Sequence, residues 1–460
     1  MLLVIGHDVV TMNSRRELIR EGAVAVDGST IVAVDKAAVL QAQFPEAEVV
    51  GNDDAIVTPG FINAHQHLTG DRLIRSAIPD DLAPGVSIFE WAVPVHAQHD
   101  GDDDELSATL SCLEQVMNGV TTVVEAGTVA HPHRVASALH TIGMRGAVGQ
   151  WGWDVDDGPF AAPADEVLDR QRDFIAQQQR LEQEGGDDLV AAWVTLVGHD
   201  LMSDELLAGA SALARELHTG LTFHISPSPS DAVAYLARCG VRPLVHFDRL
   251  GALGAHVLLA HAVHLDDAEC DIVVRTNSAI AYTPWAYLRL GQGVSAHGRH
   301  GELHRRGVRI ALGCDSENAS DALDPLRAAA LAAGIAKDQT LDPTSFGAHD
   351  AFEMLTIRGA QAIGMADRIG SLEPGKRADL VVHDTSGPQW IPRSVDPVLQ
   401  LVWASDGRSV RDVMVNGRIV VRDGRCVTVD IDAFRDAARD ASKALLRRAG
   451  VDPRPRWPIR

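Results

Sequence analysis

Apolar runs punctuated by polar turns open and close the chain, and its middle follows a different rule. In residues 1–56 the runs begin at Leu2, Ala23 and Ile31, and Asp27-Gly28 separates the last two. Asp-Gly between such runs is a hairpin signal. The same signature returns after Gly370, where runs at 378–383, 410–415 and 419–421 are divided by Asn416-Gly417 and followed by Asp423-Gly424. Two β-type ends around a different middle predict one small β-sandwich domain built from both chain ends, residues 1–56 with 369–431.

In the middle, apolar runs recur at 61–67, 121–126, 145–151, 190–198, 221–225, 257–264, 279–284 and 308–313. Stretches with helical spacing, such as 104–118, 204–218 and 323–335, lie between several of them. Strands that are apolar on both sides and alternate with helices belong to a parallel sheet covered on both faces. Eight of them predict an α/β fold, a TIM-type (β/α)8 barrel over residues 57–368. Residues 432–460 read as an amphipathic C-terminal helix followed by a Pro- and Arg-rich tail.

Composition narrows the partners. A net charge of −22 argues against nucleic acid or an anionic membrane, since both need a basic surface. No apolar run approaches the roughly 20 residues of a membrane span, and the first six residues are too short for a signal core. Five scattered cysteines without CxxC spacing read as reduced thiols, so a cytoplasmic protein acting on a small molecule is expected.

Barrel chemistry collects where the strands end. The first strand ends in His65 and His67, the second in Glu125, the fourth in His199, the fifth in His224, the sixth in His261 and His264, and the eighth in Asp315. On an extended strand His65 and His67 share a face, which suits two ligands of one cation.

The order His-x-His, His, His, Asp at successive strand ends resembles the amidohydrolase superfamily. Within it, PGFINAHQHL at 59–68, LLAHAVHLDD at 258–267, LGCDS at 312–316 and GSLEPGKRADLVV at 370–382 resemble the chlorohydrolase and deaminase branch. That branch includes triazine hydrolases, guanine deaminase and methylthioadenosine/S-adenosylhomocysteine deaminases. The resemblance implies that His65, His67, His224 and Asp315 bind one divalent metal, that His261 is an active-site histidine and that His199 lies at the substrate. Three neutral imidazoles and a carboxylate suit zinc, with iron or cobalt as alternatives. No lysine ends the fourth strand to bridge a second metal. By the same resemblance Asp315 relays a proton to the leaving group and His261 polarises the atom opposite. Ser316 supports Asp315, whereas Cys314 and His264 read as packing residues.

Two departures shape the expected reaction. His224-Ile225-Ser226-Pro227 carries proline where the resembling deaminases carry the glutamate that protonates a ring nitrogen. Proline has no proton to give, so hydrolysis of an amide, urea or carbamate C–N bond is expected. Deamination or dechlorination of a triazine, purine or pyrimidine ring is the alternative. A non-catalytic dihydropyrimidinase-like scaffold is a third reading, opposed by the full ligand set. Trp285 and Tyr287 replace a polar pattern after the seventh strand and predict an aromatic wall, joined by Trp91, Trp151 and Trp153. Substrate contacts are expected from His199, Trp91, Glu125 and Trp285, with Glu125 either touching substrate or bracing a ligand. The resemblance also implies a homo-oligomer.

Overall fold

The computed structural model describes residues 1–83, 85–155 and 158–459; Arg460, the last residue of the predicted tail, lies outside them. Eight parallel strands make the central layer: Phe61–Gln66, Val120–Glu125, Arg145–Val148, Val190–Ala192 with Val194–Gly198, Leu221–Ile225, Val257–His261, Ala279–Tyr282 and Ile310–Leu312. They follow the TIM-type order, with two interruptions in the hydrogen-bonded ladder. The fourth strand breaks at Trp193, dividing the ladder into a four-stranded and a five-stranded sheet. Between the eighth strand and the first, the Asp315 N–H donates to the His65 carbonyl at 2.9 Å. Small side chains fill the space the strands enclose, among them Ala64, Ala147, Ala279, Ala281 and Ala311 with Ile62 and Val124.

The outer helices start where their caps dictate. Gly101–Met117 begins three residues before the periodicity suggests, because the Asp100 side chain accepts from the Asp102 and Asp103 N–H groups and Asp103 returns the bond. Asp266 and Glu269 close the same box at Asp267–Thr276.

Both chain ends enter one nine-stranded mixed sheet. It differs from the expected sandwich of separate sheets because Ile56–Pro59 pairs on both edges, parallel to Leu2–Val10 and antiparallel to Leu380–His383. Alternating side chains then fill a core on each face, one with Val4, Val24 and Val57, the other with Leu3, Ile5 and Ala25. The seam strand matters for function, since one residue separates Ile56–Pro59 from the strand that carries the histidines.

The last helix, Ile431–Ala449, buries Leu445 against Leu73, Ile74, Ile78 and Val95 in the segment after the first barrel strand. Among the described residues no helix is long and apolar enough to cross a membrane.

Candidate metal centre

The strand ends bend sharply where the polar residues sit. His199, Ser226, His261 and Asp315 all have positive φ, between 50° and 77°. Non-glycine residues rarely adopt that conformation, and it clusters where side chains must be aimed against local preference. Gly198, at φ +88°, permits the turn before His199, since a Cβ there would meet the His224 carbonyl oxygen at 2.2 Å.

The result is a convergence of imidazoles and one carboxylate. One nitrogen each of His65, His67 and His224 lie within 4.8 Å of one another, as do ligand atoms of His65, His261 and Asp315. His67 Nε2 and His224 Nε2 face each other at 3.2 Å, and Asp315 Oδ1 stands 3.5 Å from His67 Nε2 and 3.9 Å from His65 Nε2. The outer nitrogens explain the inner ones. His224 Nδ1–H donates to the Val197 carbonyl at 2.6 Å, which leaves the Nε2 lone pair pointing inward. His67 Nδ1 is bonded to Thr128 Oγ1 at 2.8 Å. Both ring nitrogens of His65 are buried without a hydrogen-bond partner among the described residues. Facing lone pairs and an unpartnered imidazole are costly unless a cation satisfies them, so these residues fit a divalent metal.

Burial also sets the protonation that these residues would need to hold a metal. It drives the His65, His224 and His261 imidazoles well below the ordinary histidine value, reinforced by the charges of neighbouring rings, and brings His67 to about 4. Neutral imidazole is the form that binds metal. Burial pushes the Asp315 carboxyl up to about 7; a dication beside it acts in the opposite sense.

A pocket opens over this centre, lined by His67, His199, His224, His261 and Asp315 together with Trp151 and Trp153. His199 lines this pocket. Its Nδ1 is bonded to Asp231 at 3.0 Å, and that carboxylate raises the imidazole's pKa against the effect of burial. Three of the residues named as substrate contacts, Trp91, Trp285 and Glu125, do not line this pocket. Trp91 turns away to pack with Leu73, Ile74 and the C-terminal helix, because the roof segment Ser87–Ala92 is wound so that Ile88 and Phe89 face the pocket instead. Trp285 sits on the short helix Pro284–Arg289, with its ring under the Arg327 guanidinium at 4.5 Å. Glu125 is fully buried and accepts from the Gly127 N–H at 2.6 Å and from Thr128 Oγ1 at 3.4 Å. It thus braces the threonine that holds His67, and burial pushes its carboxyl up to about 8. Tyr287 is buried behind His261, its ring 5.6 Å away, and His264 donates outward to the Gln292 carbonyl.

Sequence reasoning missed Asp71 and His96, which also line the pocket. Burial acts to raise Asp71, but the bond and charge of His96, with help from Ser316, hold its carboxyl at about 2. Asp71 lies four residues beyond His67 in a stretch without periodicity, so only its acidity could have flagged it.

Residues 56–420 match the family model described as "Amidohydrolase family". The chain belongs to the amidohydrolase family. A second model, an imidazolonepropionase-like composite domain of bacteria, matches residues 22–47 of this amidohydrolase. A 5-methylthioadenosine/S-adenosylhomocysteine deaminase of Syntrophobacter fumaroxidans is 29% identical over 448 residues, 96% of this chain and 98% of its own. That of Moorella thermoacetica is 30% identical, covering 90% of this chain and 93% of its own. Among solved structures, a zinc-bound adenosine deaminase from Xanthomonas campestris superposes with a TM-score of 0.88 at 27% identity, covering 96% of this chain and 98% of its own. The names these relatives carry are those of deaminases, not of amide, urea or carbamate hydrolases.

Proposed function

We propose that this amidohydrolase uses one zinc ion to replace an amino or chloro substituent of an N-heterocycle with a hydroxyl group derived from water. The observation that carries the reading is the convergence of His67, His224, His261 and Asp315 on the pocket floor with the buried His65 beside them. In this proposal His65, His67, His224 and Asp315 hold the metal, with residues 57–368 as the catalytic barrel, 1–56 with 369–431 as the composite sheet domain and 432–460 as a brace. The bound ion supplies Lewis acidity and brings a water's pKa from ~15.7 towards ~7.

The chain's own groups do the rest. Asp315 takes a proton from the attacking water on a carboxylate oxygen and delivers it to the departing group. His261, whose Nδ1 is anchored on Thr283 Oγ1 at 3.3 Å, turns its other nitrogen to the reacting carbon's substituent. His199, fixed by Asp231, donates to a ring nitrogen. Trp151, Trp153, Ile88 and Phe89 exclude water and clasp an apolar substituent.

Zinc-loaded protein assayed with 5′-methylthioadenosine, S-adenosylhomocysteine, adenosine, guanine and a chlorotriazine, with ammonia and chloride scored separately, tests the proposal. Release of either from at least one of them supports it. Release of an amine from a carbamate or urea, with none from the rings, returns the carbonyl reading.

A further inference from the structure

We propose that His131, Asp104, His99 and His96 form a proton relay joining the metal pocket to solvent. An imidazole can take up a proton on one nitrogen and give one up from the other, and a carboxylate can do the same with its two oxygens. Each group in this array is connected in that through-going way. At the outer end the His131 side chain is 41% exposed, and its Nδ1 meets Asp104 Oδ2 at 2.8 Å. The other oxygen of Asp104, Oδ1, meets His99 Nδ1 at 2.9 Å. The His99 and His96 rings then lie 6.1 Å apart, centroid to centroid. His99 Nε2 and His96 Nδ1 are both buried without a hydrogen-bond partner among the described residues. In this proposal one water joins these two nitrogens. His96 Nε2 stands 3.4 Å from Asp71 Oδ1, and His96 lines the pocket with His67 and Asp315.

Bracing alone accounts for part of this. Asp104 also accepts from the His131 N–H at 3.1 Å, just before the helix Pro132–Ile142. It does not account for two neighbouring rings that each bury an unsatisfied nitrogen, an arrangement that costs stability unless something satisfies it. Charged groups around the array are engaged with one another: Asp103 with Arg448 of the C-terminal helix, and Glu105 with Arg134. Asp71 acts only as an acceptor that orients His96.

The relay rests on the ring chemistry proposed above. Water replacing a ring amino group forms one C–O bond, breaks one C–N bond and releases ammonia, which takes one proton from the medium to leave as ammonium. That proton enters at His131 Nε2 and passes through Asp104, His99 and the intervening water to His96 Nε2. When chloride is displaced instead, one proton is released and travels outward.

The test uses zinc-loaded full-length protein in dilute buffer, comparing wild type with His131→Gln, a change at the surface, and with His99→Gln. With 5′-methylthioadenosine both variants should lose about tenfold or more in kcat, and added imidazole should restore it by reaching the pocket directly. No loss in His131→Gln, or a loss that imidazole leaves untouched, overturns the relay. Without substrate, in protein labelled with 15N-histidine, exchange of the His96 and His99 ring N–H with water should slow in His131→Gln; unchanged exchange also overturns it. A wild type inert towards 5′-methylthioadenosine, with exchange still slowed by the variant, leaves the relay standing and counts against the substrate reading alone.

Discussion

At the scale of single residues, the centre depends on which nitrogen each histidine turns inward. His67 is held through Thr128, and Thr128 through Glu125, so a buried carboxyl that never touches His67 sets the orientation of this proposed ligand. His67→Ala is expected to lower bound zinc and ring-substituent release together; full metal content by elemental analysis would show that His67 is not a ligand. Pro227 lines the pocket three residues after His224, at the place where the resembling deaminases carry a glutamate. Pro227→Glu would add a second, carboxylic proton donor beside His199, and general acids contribute about 10²–10⁴-fold, so kcat for 5′-methylthioadenosine should rise by about tenfold or more. An unchanged rate would mean that His199 already supplies all the ring protonation the reaction needs.

At the scale of elements, the helix Gly101–Met117 does more than cover a strand. Its first turn presents Asp104 to both His99 and His131, which ties the pocket roof to the following helix Pro132–Ile142. Burial raises the Asp104 pKa, but the bonds and charges of these two histidines outweigh it and hold the carboxyl below its ordinary 3.8. A carboxylate depressed in the folded state contributes stability that is complete above the unfolded value and lost as pH falls through the folded one. Asp104→Asn should therefore cost about 1–3 kcal/mol at pH 7, and the gap to wild type should close as pH falls below 3.8. Urea unfolding at pH 7, 5 and 3 measures this; a gap that stays constant down to pH 3 contradicts it.

At the scale of the whole molecule, the barrel and the terminal sheet are joined by buried charge as well as by chain. Arg145, at the start of the third barrel strand and 1% exposed, donates to Asp379 at 3.0 Å and to the Asp188 carbonyl at 2.7 Å. Asp379 directly precedes the strand Leu380–His383 that pairs with Ile56–Pro59. Removing one partner of a buried ion pair leaves the other charge uncompensated and costs about 3–5 kcal/mol. Arg145→Met should lower the thermal midpoint while the zinc content of the folded protein is unchanged. A separate early transition would show that the terminal sheet unfolds independently of the barrel.

The alternation of strands and helices, the paired β-type ends and the histidines and aspartate at strand ends were legible in the sequence, because periodicity and turn chemistry are local properties of the chain. The identity of the pocket wall was not. Trp91 and Trp285 have the composition of wall residues, but the winding of Ser87–Ala92 and the helix Pro284–Arg289 turn them elsewhere and bring Phe89 and Ile88 inward. Asp71, His96, His99 and His131 carry no shared spacing, and only the packing of three separate segments makes an array of them. Local pattern determined which elements form and which strand ends carry imidazoles. The direction each side chain faces, and hence the pocket and its protonation, was decided by tertiary contacts between residues far apart in the chain.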